Sequence, residues 1–510
     1  MKTGNNLQGI SPVQWTGWVV MFVAFLGALY IGNAVGTGNY SKIYLIFLVL
    51  GGMAVALFVG PRYWLIGIAC FCINVPLVSM GIRALVLPEA GAIYLFGSYL
   101  LMLAFRRNHL NLNRVEYIGF ALFIALVTLT LALNPVGFLG FGSQIGGARS
   151  YIKIYMALAV LLVLSNQIVN DKDLRWVIWI MVAGSFITLG WELFDYFILG
   201  TTAEANADEI YSWHQILAGP PFMLVVWLFS KYKPSEIVSV QHPMRLFIVL
   251  VSLLITFESG KRGMVAAIML VPVISAIINR QGRYVYFLVT VLLVAVAIVI
   301  MGQGSAFSLP LRAQRALMYL PADWDQEIAR MKAGGSMDEF RSEMRRIAWE
   351  RALDRPWIGE GFALDMNETR GMGRESLQTD ATGILSIGKA WHSLWFGLAA
   401  DFGFMACLFY AMIYFTMLCV SVWIIVNSTP NTYTRTIAMM LFITFVISIL
   451  KSNTSGHSAN TPFGEWWSFG LLIAIRYSML ANENARYRAA RAAEKGSEKL
   501  GDGDWEASPR

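Results

Sequence analysis

The feature that most constrains this chain is a repeated one. Between residues 15 and 482, predominantly apolar blocks of about 18 to 25 residues recur, each long enough to cross a bilayer core of about 30 Å as a helix. Of the 510 residues, 57% are hydrophobic and 14% charged, whereas a soluble domain has about a quarter of its residues charged. These features exclude a soluble enzyme, a disulfide-stapled secreted domain and a disordered protein. The reading is an all-α polytopic integral membrane protein.

About fourteen spans (12–14) are expected, near 15–32, 43–60, 63–80, 86–105, 115–133, 151–169, 175–199, 213–230, 246–258, 263–279, 284–302, 393–426, 434–451 and 463–482. The stretch 246–258 is short for a span. The long stretch 393–426 is read as a surface half-helix from His392 to Asp401, followed by a true span after Gly403. No small-residue cleavage site follows the first polar stretch, so the first span is expected to stay in the protein.

Basic residues orient these spans. With the N-terminus inside, the cytoplasmic connections hold Arg62; Arg106, Arg107 and Arg114; Lys172 and Arg175; Lys231, Lys233 and Arg245; Arg280 and Arg283; and Arg435. The tail adds Arg486, Arg488, Arg491, Lys495 and Lys499. Most short connections on the other side are poor in lysine and arginine, and 200–212 is acidic. This alternation puts both termini in the cytoplasm. The net charge of +7 therefore reflects membrane orientation and gives no reason to expect a nucleic-acid partner.

Exceptions to the alternation mark the outer side. Arg149 and Lys153, Lys261 and Arg262, and a dozen basic residues in 303–391 all fall there. The chain divides into an N-terminal transmembrane bundle (1–302), a large outer loop (303–391), C-terminal transmembrane helices (392–482) and a charged cytoplasmic tail (483–510). Within the loop, 338–353 is rich in helix formers and carries Phe340, Met344, Ile347 and Ala348 at the spacing of one apolar face. Pro356 stops that helix, and Gly359-Glu360-Gly361 turns the chain back. A long ordered loop in a compact protein is usually functional.

Several residues could carry chemistry. His109 and His242 fall in cytoplasmic connections; His214, His392 and His457 fall outside. A lone histidine at a helix end is more often structural, but His392 closes the loop and opens a helix. Arginine offers a fixed fork of donors suited to phosphate oxygens, and lysine adds a point charge. Arg262 and Arg341, with Lys261, could therefore converge on one anion. Cys70, Cys72, Cys407 and Cys419 lie inside apolar blocks and read as buried thiols. No metal-ligand spacing and no phosphate-binding glycine loop is present, so no metal or other cofactor is expected. The chemistry implied is metal-free handling of a phosphate-bearing lipid.

Three pieces of sequence resemble the O-antigen ligase and polymerase superfamily, integral membrane glycosyltransferases that act on polyprenyl-pyrophosphate-linked glycans. They are Ser259-Gly260-Lys261-Arg262-Gly263; the run from Arg341 through Ala348-Trp349 and Asp354-Arg355-Pro356 to Gly359, Gly361 and Phe362; and His392-Ser393-Leu394-Trp395-Phe396 with Asp401, Gly403 and Phe404. The second and third look closest to the ligases associated with exosortase systems. The resemblance covers about 260–410; before it, only the span pattern and Tyr151-Ile152-Lys153 match. It implies a GT-C-like architecture in the bacterial inner membrane, with Arg262 and Arg341 on the pyrophosphate and His392 orienting or deprotonating the acceptor. Asp401 stands where the family usually has glutamate, and Arg345 where it often has tryptophan, which leaves Arg341 and Arg345 competing as the main phosphate contact.

The expected reaction is inverting glycan transfer on the outer face. Lys153, Arg149 and Lys261 are further candidates for holding the donor, and Glu258 or Glu360 could be the base instead of His392. The acceptor could be a glycan, a lipid core or a protein, so a ligase and a polysaccharide polymerase both fit. Membrane lipids and polysaccharide-export machinery are the other expected partners. A flippase or secondary transporter is the competing class, although its ionisable groups would sit near mid-membrane. Here Glu192 and Asp195 lie near the outer end of their span. A scaffold acting through the tail ranks last.

Overall fold

A computed structural model of the chain describes residues 51–52, 55–73, 86–105, 110–135, 148–199, 217–326, 328–329, 336–362, 391, 393–452 and 463–501. Its regular structure is helical, with no strand among these residues and an isolated bridge between Gln303 and Phe307. In chain order the helices are α1 (Tyr63–Cys72), α2 (Leu87–Ala104), α3 (Tyr117–Leu133), α4 (Ala148–Ser165), α5 (Asp171–Phe194) and α6 (Gly219–Lys231). There follow α7 (Pro243–Glu258), α8 (Arg262–Ile278), α9 (Gly282–Gly302), α10 (Leu311–Leu317) and α11 (Ser336–Asp354). The C-terminal part holds α12 (Leu394–Phe402), α13 (Phe404–Asn427), α14 (Tyr433–Lys451) and α15 (Phe463–Gly501).

Six described helical stretches are long and apolar enough to cross a membrane: Val55–Cys72, Leu87–Ala104, Asp171–Ile198, Gly282–Gly302, Phe404–Asn427 and Tyr433–Lys451. The first is interrupted by a 3-10 turn at Gly60–Arg62, where Gly60 has φ +66°. Tyr117–Leu133, Ser150–Ser165 and Arg262–Ile278 are shorter apolar helices. This is a multi-pass α-helical membrane protein. The expected first span, 15–32, lies outside the described residues, as does most of the second.

Polar contacts sort the connections into two groups at opposite ends of the bundle. At one end Arg62 pairs with Asp173 at 2.7 Å, and Asn111 N–H donates to Asn166. There also Thr434 N–H donates to Asp171, Arg435 reaches Asn279, and Arg476 pairs with Glu116. These are the connections whose basic residues alternate in the sequence, so the alternation corresponds to one physical end. Between the ends runs an edge-to-face aromatic core in which Phe123 meets Phe402, Tyr410 and Trp466. Helices α4 and α15 pack closely at Gly470, where a Cβ would lie 2.8 Å from the Leu161 carbonyl oxygen.

At the other end, residues 356–361, just past α11, dock backbone to backbone on the junction of α12 and α13. Phe404 N–H donates to the Pro356 carbonyl (2.7 Å), Glu360 N–H to Ala400 (3.2 Å) and Gly361 N–H to Asp401 (2.6 Å). Gly403 breaks the helix at φ +80°, ψ 174°, a region open essentially to glycine alone. The half-helix and span expected on either side of it are α12 and α13. Glycine is also required by contact: a Cβ on Gly403 would sit 2.5 Å from the Trp357 carbonyl carbon, and one on Gly359 would sit 2.5 Å from the Asp401 carbonyl carbon.

Gly403→Ala should therefore cost about 1–3 kcal/mol in backbone strain, seen as a lower thermal unfolding midpoint of the detergent-solubilised protein. Gly190→Ala, where a Cβ meets nothing within 4 Å, should leave the midpoint unchanged or raise it.

Candidate functional site

The turn from α7 to α8 presents the first group of candidate residues. Gly260, at φ +65°, lets the chain reverse within a few residues. The Ser259 hydroxyl donates to the Thr256 carbonyl and accepts from Lys261 N–H, fixing the turn from inside. Lys261 caps α8 and Arg262 opens it. Helix α10 of the large loop lies over this turn: Arg312 pairs with Glu258 at 2.5 Å, and Tyr319 places its ring 4.8 Å from the Arg262 guanidinium carbon. Glu258 is thus committed to Arg312. Arg262 keeps one guanidinium nitrogen, Nη1, buried with no hydrogen-bond partner among the described residues.

Lys261 is solvent-accessible, yet protein surrounds much of it. That crowding lowers the ammonium pKa below its usual value, while the Glu192 carboxylate works the other way. Buried donors without acceptors and crowded ammonium groups are costly unless an anion joins them. An anion at this turn would relieve both costs.

The second group stands on α11, which extends from 336 to 354 where the sequence predicts 338–353. Met344 and Ala348, on its apolar face, are buried against Trp391 and Ala400. Arg341 and Arg345 are half-buried and one turn apart, with Arg345 Nε bonded to the Arg341 carbonyl. Both guanidinium groups therefore lie along one flank of the helix. Arg346 points away from this face and is held by Glu343 and Glu350 at its own surface. Its hydrogen bonds hold the Glu343 carboxyl below the usual carboxylate range.

Trp391 is the hub beneath α11. Its indole N–H donates to Asp401 Oδ1 at 3.1 Å, and Arg351 lies over its ring at 5.4 Å while also meeting Glu360 at 3.4 Å. Asp401 is 1% exposed. Its carboxylate holds Trp391, the residue before His392 in the sequence. His392 itself lies outside the described residues, as do His214, His457 and the side chain of Arg149. Just beyond, Leu394 N–H donates to the Ser452 carbonyl (2.9 Å), and Trp395 Nε1 donates to the Ser452 hydroxyl (2.9 Å).

The docked segment is held from a third side by α3 and α4. Arg355 reaches Asn134, Thr130 donates to the Ile358 carbonyl, and Phe362 N–H donates to the Tyr151 hydroxyl at 3.1 Å. Phe362 then stacks edge-on against Tyr151 and Phe402. Lys153, on the same helix as Tyr151, pairs with the buried Glu89 at 3.5 Å.

The structure thus gathers Glu258, Lys261 and Arg262 in one turn. It sets Arg341 and Arg345 on α11, whose buried face meets Trp391, and brings Asp401 to Trp391 and Glu360 to Arg351. Sequence reasoning passed over Tyr151's bond to Phe362, Arg312, Tyr319, Trp391 and Ser452. Only Arg312 carried a signal, as one of the outer basic residues.

Tyr151→Phe leaves the buried Phe362 N–H unsatisfied, a loss of about 1–3 kcal/mol. Hydrogen exchange should report it as faster exchange at Phe362 and its neighbours, with the inner-end amides of α4 unchanged.

Against known proteins, residues 247–411 match the family model described as O-antigen ligase. The match runs from α7 through the Arg262 turn, α11 and α12 into α13, so it contains both groups of candidate residues. No curated protein matches the chain.

Proposed function

We propose that this membrane protein, whose residues 247–411 are similar to the O-antigen ligase family, transfers a glycan from a polyprenyl-pyrophosphate donor to an acceptor hydroxyl. The reaction would take place on the outer face of the bacterial inner membrane. The observation that carries the reading is the Arg262 turn, where a buried guanidinium nitrogen without a partner adjoins a crowded lysine at a bundle end. The donor chemistry follows from that charge. A pyrophosphate supplies oxygens in the fork geometry that arginine fits.

In the transfer step, the acceptor oxygen forms a bond to the anomeric carbon as the bond from that carbon to the pyrophosphate oxygen breaks. The electron pair leaves with the pyrophosphate, and the acceptor proton passes to a base. Arg262 and Arg341 stabilise the charge that grows on the leaving group, in the manner of other preorganised donors. His392 is the proposed base or orienting group, worth about 10² to 10⁴ in rate. Glu258 and Glu360 are each held by an arginine, which favours His392 over both. The acceptor proposed is that of the exosortase-associated ligases, a lipid or protein hydroxyl. The polymerase reading differs only in taking a second lipid-linked repeat unit.

Purified protein in lipid nanodiscs, supplied with a polyprenyl-pyrophosphate glycan, should release polyprenyl pyrophosphate only when an acceptor is present. Arg262→Ala and Arg341→Ala should each lower the rate by about 10²–10³, with the protein still folded. Full activity in both variants would overturn the proposal. Exchanging a lipid or protein acceptor for a second lipid-linked repeat unit separates ligase from polymerase.

A further inference from the structure

Helix α13 carries a continuous apolar stripe along its outside. Leu408, Met412, Phe415, Cys419, Val422 and Val426 recur at spacings of three and four residues, the repeat of one helix face. All six are exposed, whereas Tyr410, Met417 and Ile424 on the opposite face are buried. Because α13 is long and apolar enough to cross a membrane, this exposed face meets acyl chains. Phe404, one turn before Leu408, begins the stripe at the end of the bundle that holds the candidate site.

The loop helix α11 continues that stripe. The ring of Trp349 meets Phe404 edge-on at 5.5 Å. Leu353 follows one turn later on α11, and Trp357 lies level with the start of α13, its carbonyl against Gly403. Trp349, Leu353 and Trp357 are 45%, 55% and 64% exposed. Side chains of this size cost free energy when left open to water. At the level where a span begins they stand at the boundary between headgroups and acyl chains, which suits the apolar ring and polar N–H of tryptophan together. The charges of α11 lie on a different face, where Arg346 pairs with Glu343 and Glu350. Met344, Ala348 and Ala352 make a third face that is buried in protein. Thus α11 has one side for the protein, one for water and an apolar flank in line with the lipid-facing side of α13.

We infer that α11 is seated in the adjoining lipid leaflet, with Trp349, Leu353 and Trp357 in the boundary between phospholipid headgroups and acyl chains. The large loop, which the sequence presents as a piece outside the membrane, is then partly held by it, as an interfacial amphipathic helix is. Arg345 and Arg341 precede Trp349 by one and two turns on the same flank, about 6 and 12 Å along the helix axis. The seat therefore keeps both guanidinium groups near the headgroup layer. It follows from how α11 packs against α13 and is independent of the donor proposed above.

The test places nitroxide labels on the full chain in phospholipid nanodiscs, in a background of Cys70→Ala, Cys72→Ala, Cys407→Ala and Cys419→Ala. Leu353→Cys and Trp357→Cys carry the labels, with Met412→Cys on the lipid face of α13 and Glu350→Cys on the charged face of α11 as references. Collision rates are measured with oxygen, which concentrates among acyl chains, and with a water-soluble nickel chelate. The ratio of oxygen to nickel collisions at 353 and 357 should exceed that at 350 several-fold and approach that at 412. Labels at 353 and 357 as open to nickel as the one at 350 would put the stripe in water. Labels shielded from both reagents would mean that protein covers it, from this chain or a second copy. Either result would overturn the inference. A second measurement keeps the native cysteines: the double variant Leu353→Ser, Trp357→Ser in nanodiscs should speed hydrogen exchange of the α11 amides by about tenfold or more, with the α13 amides unchanged. Unaltered exchange along α11 would equally overturn it.

Discussion

Everything at the site end of this protein hangs on one backbone-to-backbone contact. Three main-chain hydrogen bonds join residues 356–361 to residues 400–404. Each is worth only about 0.5–1.5 kcal/mol net, but together they fix the register between the large loop and the membrane bundle. The contact exists because Gly359 and Gly403 have no Cβ to hold the two chains apart, and because both adopt positive φ. It decides where α11 lands, and hence where Arg341 and Arg345 lie relative to Trp391. The glycines and the proline of these motifs thus have a structural task, which Arg351 and Arg355 share through Glu360 and Asn134.

The second constraint is electrostatic. A membrane protein that places arginines and lysines near lipid must give each of them a partner or keep it wet. Most comply here: Arg312 has Glu258, Arg346 has two glutamates, Arg351 has Glu360 and Lys153 has Glu89. Arg262, Arg114 and Arg476 each keep a buried nitrogen that no described residue satisfies, but the last two bond through a second nitrogen to Ser165 and Glu116. The arginine turn is therefore the place proposed for an anionic substrate.

Much of the fold was legible in the sequence, because apolar block length and charge alternation are direct consequences of the bilayer. The helical breaks at Gly403 and after Asp354 were legible too, since glycine and proline act locally. The loop helix emerged from its apolar spacing at Met344, Ile347 and Ala348. What could not be read was anything requiring contact between distant segments. Asp401 appears in the sequence as an acid standing where the resembled family usually has glutamate, and the fold buries it beneath α11, bonded to Trp391. Glu258 appears as a candidate base, and a loop arginine 54 residues away occupies it. Tyr151 drew notice only as part of a short match, and the bond that explains it spans 211 residues of sequence.

The most direct measurement is a cryo-electron microscopy structure of the protein in nanodiscs with undecaprenyl pyrophosphate bound. The account predicts phosphate density between the Arg262 turn and the start of α12, within hydrogen-bonding distance of Arg262. Diphosphate density at the opposite end of the bundle, near Arg62 and Arg435, or a lipid bound with the Arg262 turn left empty, would contradict it.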